Sequence, residues 1–151
     1  MKTKKINLTI TGCLGRMGQQ LIKSASKDKR FKINSLTENK LQRKKIIGIL
    51  PKLNSSEAFK KSDVIIDFTV PKCTLEVLNF AAKQKKRVII GTTGFTKKEE
   101  RVIKNFSKKI PILKAGNMSL GINLLMYLTE IASKSLGNNF YSKVLEIHHK
   151  Y

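Results

Sequence analysis

Cysteine is scarce. Only Cys13 and Cys73 carry a thiol among 151 residues, and neither sits in a CxxC or metal-spaced cluster. That excludes a disulfide framework and points to a reducing, cytoplasmic setting. Long apolar runs are missing too. The longest, Leu120 to Leu128, is interrupted by Gly121 and Asn123 and is too short to span a bilayer. The opening Met1-Lys2-Thr3-Lys4-Lys5 runs straight into a strand, so no signal peptide is expected. Acids are few: 10 Asp+Glu stand against 31 Lys+Arg, a net charge of +21. Such a balance raises nucleic acid as a partner. Arginine, however, the residue of bidentate base and phosphate recognition, occurs only at Arg16, Arg30, Arg43, Arg87 and Arg101. The lysines fall on every predicted helix face and loop rather than in one stripe. A solvated surface attractive to small anions is therefore expected, without specific nucleic-acid binding.

What is present fits one ordinary packed domain, with 40% hydrophobic residues and no internal repeat. Ile6–Ile10 reads as a strand and Arg16–Lys27 as a helix. Phe31–Thr37 alternates like a second strand. Residues 39–53 read as a polar connection with at most a short strand near Ile46–Leu50. Ser55–Lys61 reads as a short capped helix. Asp63–Phe68 is an apolar run between acids, as in a strand covered on both faces. A helix is expected over Thr74–Lys85 and a strand over Val88–Ile90. Thr96-Lys97-Lys98-Glu99 has capping-box spacing and should start another helix. A strand at Ile110–Leu113, a helix over Leu120–Ser135 and a last strand over Lys143–His149 complete the pattern. Alternating strands and helices predict an α/β fold with a doubly wound, mostly parallel, Rossmann-type sheet.

In such sheets ligands sit beyond the carboxyl ends of the strands. The chemistry-bearing residues cluster there. Gly12-Cys13-Leu14-Gly15-Arg16-Met17-Gly18 lies between the first strand and helix, where a helix N-terminus can meet a phosphate. Its middle position holds Leu14 rather than glycine, and no Gly-Lys-Ser/Thr follows, so it is not a Walker A loop. Alone, it reads equally as a tight turn. Glu38 follows Gly18 by twenty positions, the spacing of an acid that takes ribose hydroxyls. Asp67-Phe68-Thr69 admits a plain reading, with Asp67 capping a turn and Phe68 in the core. Gly91-Thr92-Thr93-Gly94 offers two hydroxyls and backbone groups that suit a carboxamide or ring edge, or is only a turn. His148 and His149, the only histidines, are adjacent on a predicted strand and so point to opposite faces. One can do proton chemistry in a cleft. Metal binding is not expected, because the pair diverges and no third ligand is evident.

Five segments together resemble one family. These are Gly12–Gly18, Val64–Thr69, Gly91–Phe95, Asn117-Met118-Ser119-Leu120-Gly121-Ile122-Asn123 and Glu146-Ile147-His148-His149. They look like, and stand in the order of, the 4-hydroxy-tetrahydrodipicolinate (dihydrodipicolinate) reductase family of the diaminopimelate route to lysine. The resemblance implies NADH or NADPH as cofactor and reduction of a cyclic dicarboxylate with a conjugated imine. It implies cofactor contacts at Gly12, Cys13, Leu14, Gly15, Arg16, Met17, Glu38, Gly91, Thr92, Thr93, Ala115, Gly116, Asn117 and Met118, with Phe68 and Thr69 beside the nicotinamide. By the same likeness His148 is the catalytic proton donor/acceptor and His149 contacts substrate. It further implies a dinucleotide-binding domain over residues 1–117, and over 118–151 the beginning of an α+β substrate-binding and oligomerisation domain through which the family forms tetramers. The family pattern continues with a catalytic lysine and a Lys-Asp-x-Pro-Ser-Gly-Thr stretch, whereas this chain ends at Lys150-Tyr151. The expectation is an amino-terminal portion that binds cofactor and reduces substrate poorly.

Cofactor choice stays open: Glu38 favours the 2′-hydroxyl of NADH, while Lys40, Lys44 and Lys45 attract a 2′-phosphate. Two alternative functions remain as well, another two-domain dehydrogenase and a non-catalytic dinucleotide-binding module.

Overall fold

The computed structural model describes residues 4–145. Five strands form one all-parallel sheet: β1 (Ile6–Thr11), β2 (Phe31–Thr37), β3 (Val64–Asp67), β4 (Arg87–Ile90) and β5 (Ile112–Lys114), in the order β2-β1-β3-β4-β5. The chain leaves β1 in one direction and returns past it to β3, so the order reverses between β1 and β3. Crevices at such a reversal are where open α/β sheets bind ligands.

Register decides what covers each face. Thr9 pairs with Ile65 and Ile65 with Val88; Thr11 pairs with Asp67 and Asp67 with Ile90. These residues share one face. There Ile65, Val88 and Ile90 form a core with Ala58 and Phe59 of α2 (Ser56–Phe59), Val77, Leu78 and Ala81 of α3 (Pro71–Lys83), and Ile103 of α4 (Lys97–Ser107). Ile10 and Leu36 point the other way and pack with Cys13 and with Ile22 of α1 (Arg16–Lys27). Helices therefore flank both faces, the doubly wound arrangement that the alternation predicts.

Most differences from the sequence reading have local causes. Helix α3 begins at Pro71, three residues before the expected Thr74, because proline presets the first helical position and holds Val70 extended. It ends at Lys83 rather than Lys85. Lys85 takes φ +52°, and Lys86 N–H returns to Ala81 O at 2.9 Å. Strand β5 starts at Ile112, two residues later than expected, since Ile110 N–H is spent on Phe106 O at the end of α4. The Ile46–Leu50 stretch is a tight turn rather than a strand. Ile46 and Ile49 exchange two backbone hydrogen bonds of 2.9 Å across Ile47 and Gly48, both at positive φ.

Two compact units divide the chain at Gly116/Asn117. The second, by itself, holds α5 (Leu120–Leu136) and a short 3-10 turn at Gly137–Asn139. The Ser119 hydroxyl caps α5 by accepting from Ile122 N–H, and Gly137 at φ +69° follows its last residue. Residues 143–145 are not in a strand, and the rest of the expected last strand, with His148 and His149, lies outside the described residues. Among the described residues no helix is long and apolar enough to cross a membrane.

Candidate functional site

The glycine loop closes over the end of β1. Gly12 turns the chain at φ +60°, and a Cβ there would stand 2.7 Å from Cγ2 of Thr69. Gly15 N–H returns to Gly12 O at 3.0 Å, and Cys13 N–H reaches Thr37 O on β2 at 3.2 Å. Gly18 is the tightest point: a Cβ there would lie 2.2 Å from Gly12 O and 2.8 Å from Cys13 Cα. Its bare backbone lets α1 start directly against the loop. At its amino end α1 has Gly15 as N-cap, no side-chain cap and no acid in its first turn. A helix start of that kind suits an anion. Helix α4, by contrast, closes its own start with the full Thr96–Glu99 capping box that its sequence predicts.

Glu38 comes to the loop from β2. Its backbone is held by a 2.9 Å bond to Lys52 O, and its carboxylate accepts from Leu14 N–H at 3.1 Å and from Asn39 N–H at 2.9 Å. The acid twenty residues downstream is therefore against the glycine loop in space. Burial pushes the Cys13 thiol up to about 11, and the negative Glu38 nearby adds to this. Cys13 is fully buried, so it serves the loop through its backbone and packing and not as an exposed thiol.

The third side of the rim is β3–α3 and β4–α4. The Phe68 ring lies over Gly91, where a Cβ would stand 2.0 Å from its Cε1. Of the two hydroxyls that the Thr92-Thr93 pair offers, that of Thr92 turns inward. It is buried, accepts from Thr69 N–H at 2.9 Å and donates to Asp67 at 3.0 Å, leaving Thr93 as the exposed hydroxyl of the pair. Asp67 is not a turn cap. It is fully buried, with Oδ1 accepting from Thr11 (2.6 Å) and Thr69 (2.7 Å), and Oδ2 from Thr92 and Thr74. Sequence reasoning missed this cluster. Its one signal was a threonine just past each apolar run, at Thr11, Thr69 and Thr92.

A cleft of about 240 Å³ opens between these segments, lined by Gly12, Gly15, Glu38, Phe68 and Thr69 among others. A wider one shares Glu38, Asn39, Asn54, Val70 and Cys73 and continues over α3. Asn54 donates from Nδ2 to Cys73 Sγ (3.2 Å) and Glu76 (3.1 Å), while its buried Oδ1 has no partner among the described residues. Sequence reasoning missed Asn54 too, and nothing in the local pattern marked it.

Of the remaining expected contacts, Arg16 and Met17 open α1 with exposed side chains. Ala115 N–H bonds Ile90 O at 3.1 Å, which brings the Ala115-Gly116 turn beside the end of β4. Asn117 and Met118 belong to the second unit, where Asn117 Oδ1 accepts from Ser119 N–H at 2.7 Å.

An all-parallel sheet, a glycine-rich loop at its reversal point, an uncapped helix start and an acid at the end of β2 define a Rossmann-type dinucleotide-binding domain. More narrowly, the chain belongs to the dihydrodipicolinate reductase family, whose amino-terminal domain matches residues 6–118. It is 68% identical over 148 residues to the 4-hydroxy-tetrahydrodipicolinate reductase of Pelagibacter ubique (strain HTCC1062), covering 98% of this chain and 57% of that protein. It is 42% identical over 161 residues to the reductase of the same name from Buchnera aphidicola subsp. Acyrthosiphon pisum (strain Tuc7), covering 97% of this chain and 59% of that protein. The chain thus spans under three-fifths of the length of these relatives. The fold resembles that of a dipicolinate-bound dihydrodipicolinate reductase from Paenisporosarcina sp. TG-14, with a TM-score of 0.67 at 23% identity over 85% of this chain and 54% of that one.

Proposed function

We propose that this chain supplies the cofactor half of an NADH- or NADPH-dependent reductase acting on 4-hydroxy-tetrahydrodipicolinate in lysine biosynthesis. The observation that carries the cofactor reading is Glu38 at 3.1 Å from Leu14 N–H. That contact supports reading Glu38 as the acid for ribose hydroxyls and the glycine loop as the phosphate binder. The residues fit the group. The bare glycines and uncapped α1 suit a pyrophosphate, and Glu38 suits the adenosine ribose hydroxyls. An adenine amino group is a donor of the kind the orphan Asn54 Oδ1 lacks. Phe68, Thr69, Gly91, Thr93 and the Ala115-Gly116 turn are the groups for the nicotinamide end.

The cofactor supplies hydride when bound, and the protein's part is to place it and manage the proton. Glu38 should favour a free 2′-hydroxyl over a 2′-phosphate, with Lys40, Lys44 and Lys45 pulling the other way. We assign His148 as proton donor to the reduced ring and His149 to a substrate contact, on the family likeness. We read residues 1–117 as the dinucleotide-binding domain and 118–151 as the beginning of the substrate-binding and oligomerisation domain. The whole enzyme is read as a cytoplasmic homotetramer.

The test is complementation. The chain alone, and the chain joined to the carboxyl-terminal remainder of the Pelagibacter ubique relative, are assayed for substrate-dependent loss of NADH absorbance. The reading expects turnover from the joined protein, little from the chain alone, and loss of turnover in joined His148→Ala. A joined protein that binds NADH but never turns over substrate contradicts it.

A further inference from the structure

Asp67 is a fully buried carboxyl group that neither hydride delivery nor substrate protonation uses. Its neighbours on the same sheet face, Ile65 and Ile90, fill comparable space with apolar side chains. Replacing a buried polar group together with its partners by apolar groups of the same shape can be neutral or stabilising, so stability alone is a poor reason for a carboxyl group here. Geometry is a better one. Its four hydroxyl partners come from four rim segments: Thr11 at the end of β1, Thr69 after β3, Thr74 in the first turn of α3 and Thr92 after β4. Each carboxyl oxygen can accept more than one hydrogen bond, and each bond is directional.

We infer that Asp67 is the positioning residue of the nucleotide rim: its carboxylate holds the β1–α1, β3–α3 and β4–α4 loops at their mutual spacing. This rests on the dinucleotide reading above. Three contacts lead from Asp67 to the cleft, two through its carboxylate and one through its backbone carbonyl. Thr92, whose hydroxyl donates to Asp67, accepts from Thr69 N–H at 2.9 Å and so fixes the Thr69 backbone. Thr69 in turn abuts Gly12, where its Cγ2 leaves no room for a Cβ. Gly91 N–H bonds the Asp67 carbonyl at 2.9 Å, which seats the start of the β4–α4 loop. Gly12, Thr69 and Gly91 are among the predicted contacts. Asp67 itself is fully buried behind them.

The experiment uses Asp67→Asn, Thr11→Val and Thr74→Val. Thr11 and Thr74 are buried hydroxyls outside the predicted contact set. Two quantities are read at a temperature where circular dichroism shows each variant folded: the Kd for NADH, and the amide exchange of Thr69 relative to Ile10 and Gly91 in the ligand-free chain. A purely stabilising role lowers Tm and moves neither. The inference expects Kd to rise about tenfold in Asp67→Asn and about threefold in each valine variant. The Thr69 amide should exchange about tenfold faster, while Ile10 and Gly91, the latter bonded to the Asp67 backbone carbonyl, do not change. Folded variants with wild-type Kd and wild-type exchange overturn it. Should Asp67→Asn fail to fold, the two valine variants decide the matter on the same readings. Wild-type protein that binds no NADH, with exchange still accelerated in the variants, supports the positioning role and overturns the dinucleotide reading.

Discussion

The ring of Phe68 occupies the space beside Gly91 that any larger residue would need. A Cβ on Gly91 would stand 2.0 Å from Cε1 and 2.2 Å from Cζ of that ring. Gly91→Ala must therefore displace Phe68, which lines the cleft. Overpacking of this kind costs about 1–3 kcal/mol. A fall in Tm is expected together with weaker NADH binding. Adding Phe68→Leu should recover part of the Tm, because the two sites share one contact. A double variant no more stable than the single one would contradict the contact.

Gly18 faces backbone instead of a flexible ring, and backbone cannot rotate away. Gly18→Ala drives a methyl to 2.2 Å from Gly12 O. The cost should match or exceed that of Gly91→Ala, and the loop should lose NADH binding. Gly15→Ala is the control, since its Cβ meets only Gly12 O at 3.3 Å. Thermal melts of the two variants side by side check the ranking.

Neither thiol should behave as a reactive cysteine. Burial raises both, Cys13 to about 11. The folded chain is expected to react sluggishly with an aromatic disulfide reagent at mildly alkaline pH, and denaturant should release both thiols at once. Rapid titration of Cys13 in the native chain would contradict its burial.

Asp63 gives stability a pH dependence. It accepts from Asn7 N–H at 2.8 Å and Asn7 Nδ2 at 3.0 Å, and the backbone N–H is the main cause of its lowered pKa. A lowered folded value means the stabilisation is complete above the ordinary 3.8 and is lost as pH falls through the lowered value. The Tm gap between wild type and Asp63→Ala should be constant near neutrality and close in acid.

Local rules were legible wherever one segment carried the whole signal. The α1 bounds Arg16–Lys27 follow from apolar spacing behind a glycine loop, and the Thr96–Glu99 capping box from spacing alone. Glu38 was legible because the distance from Gly18 encodes one helix and one strand. Asp67 was not. Its role exists only when Thr11, Thr69, Thr74 and Thr92, as many as 81 positions apart, meet through sheet register. The inward turn of Thr92 was hidden for the same reason, since the acceptor that draws it in lies on another strand.

The central claim is that Glu38 and the glycine loop form one dinucleotide cradle, and direct titration tests it most simply. NADH and NADPH are titrated into the wild-type chain and Glu38→Ala, followed by nicotinamide fluorescence. The account predicts saturable binding to wild type, NADH affinity about tenfold weaker in Glu38→Ala, and NADPH affinity unchanged or improved as the negative charge is removed. Wild-type protein without saturable binding of either nucleotide, or NADH affinity indifferent to Glu38, would contradict it.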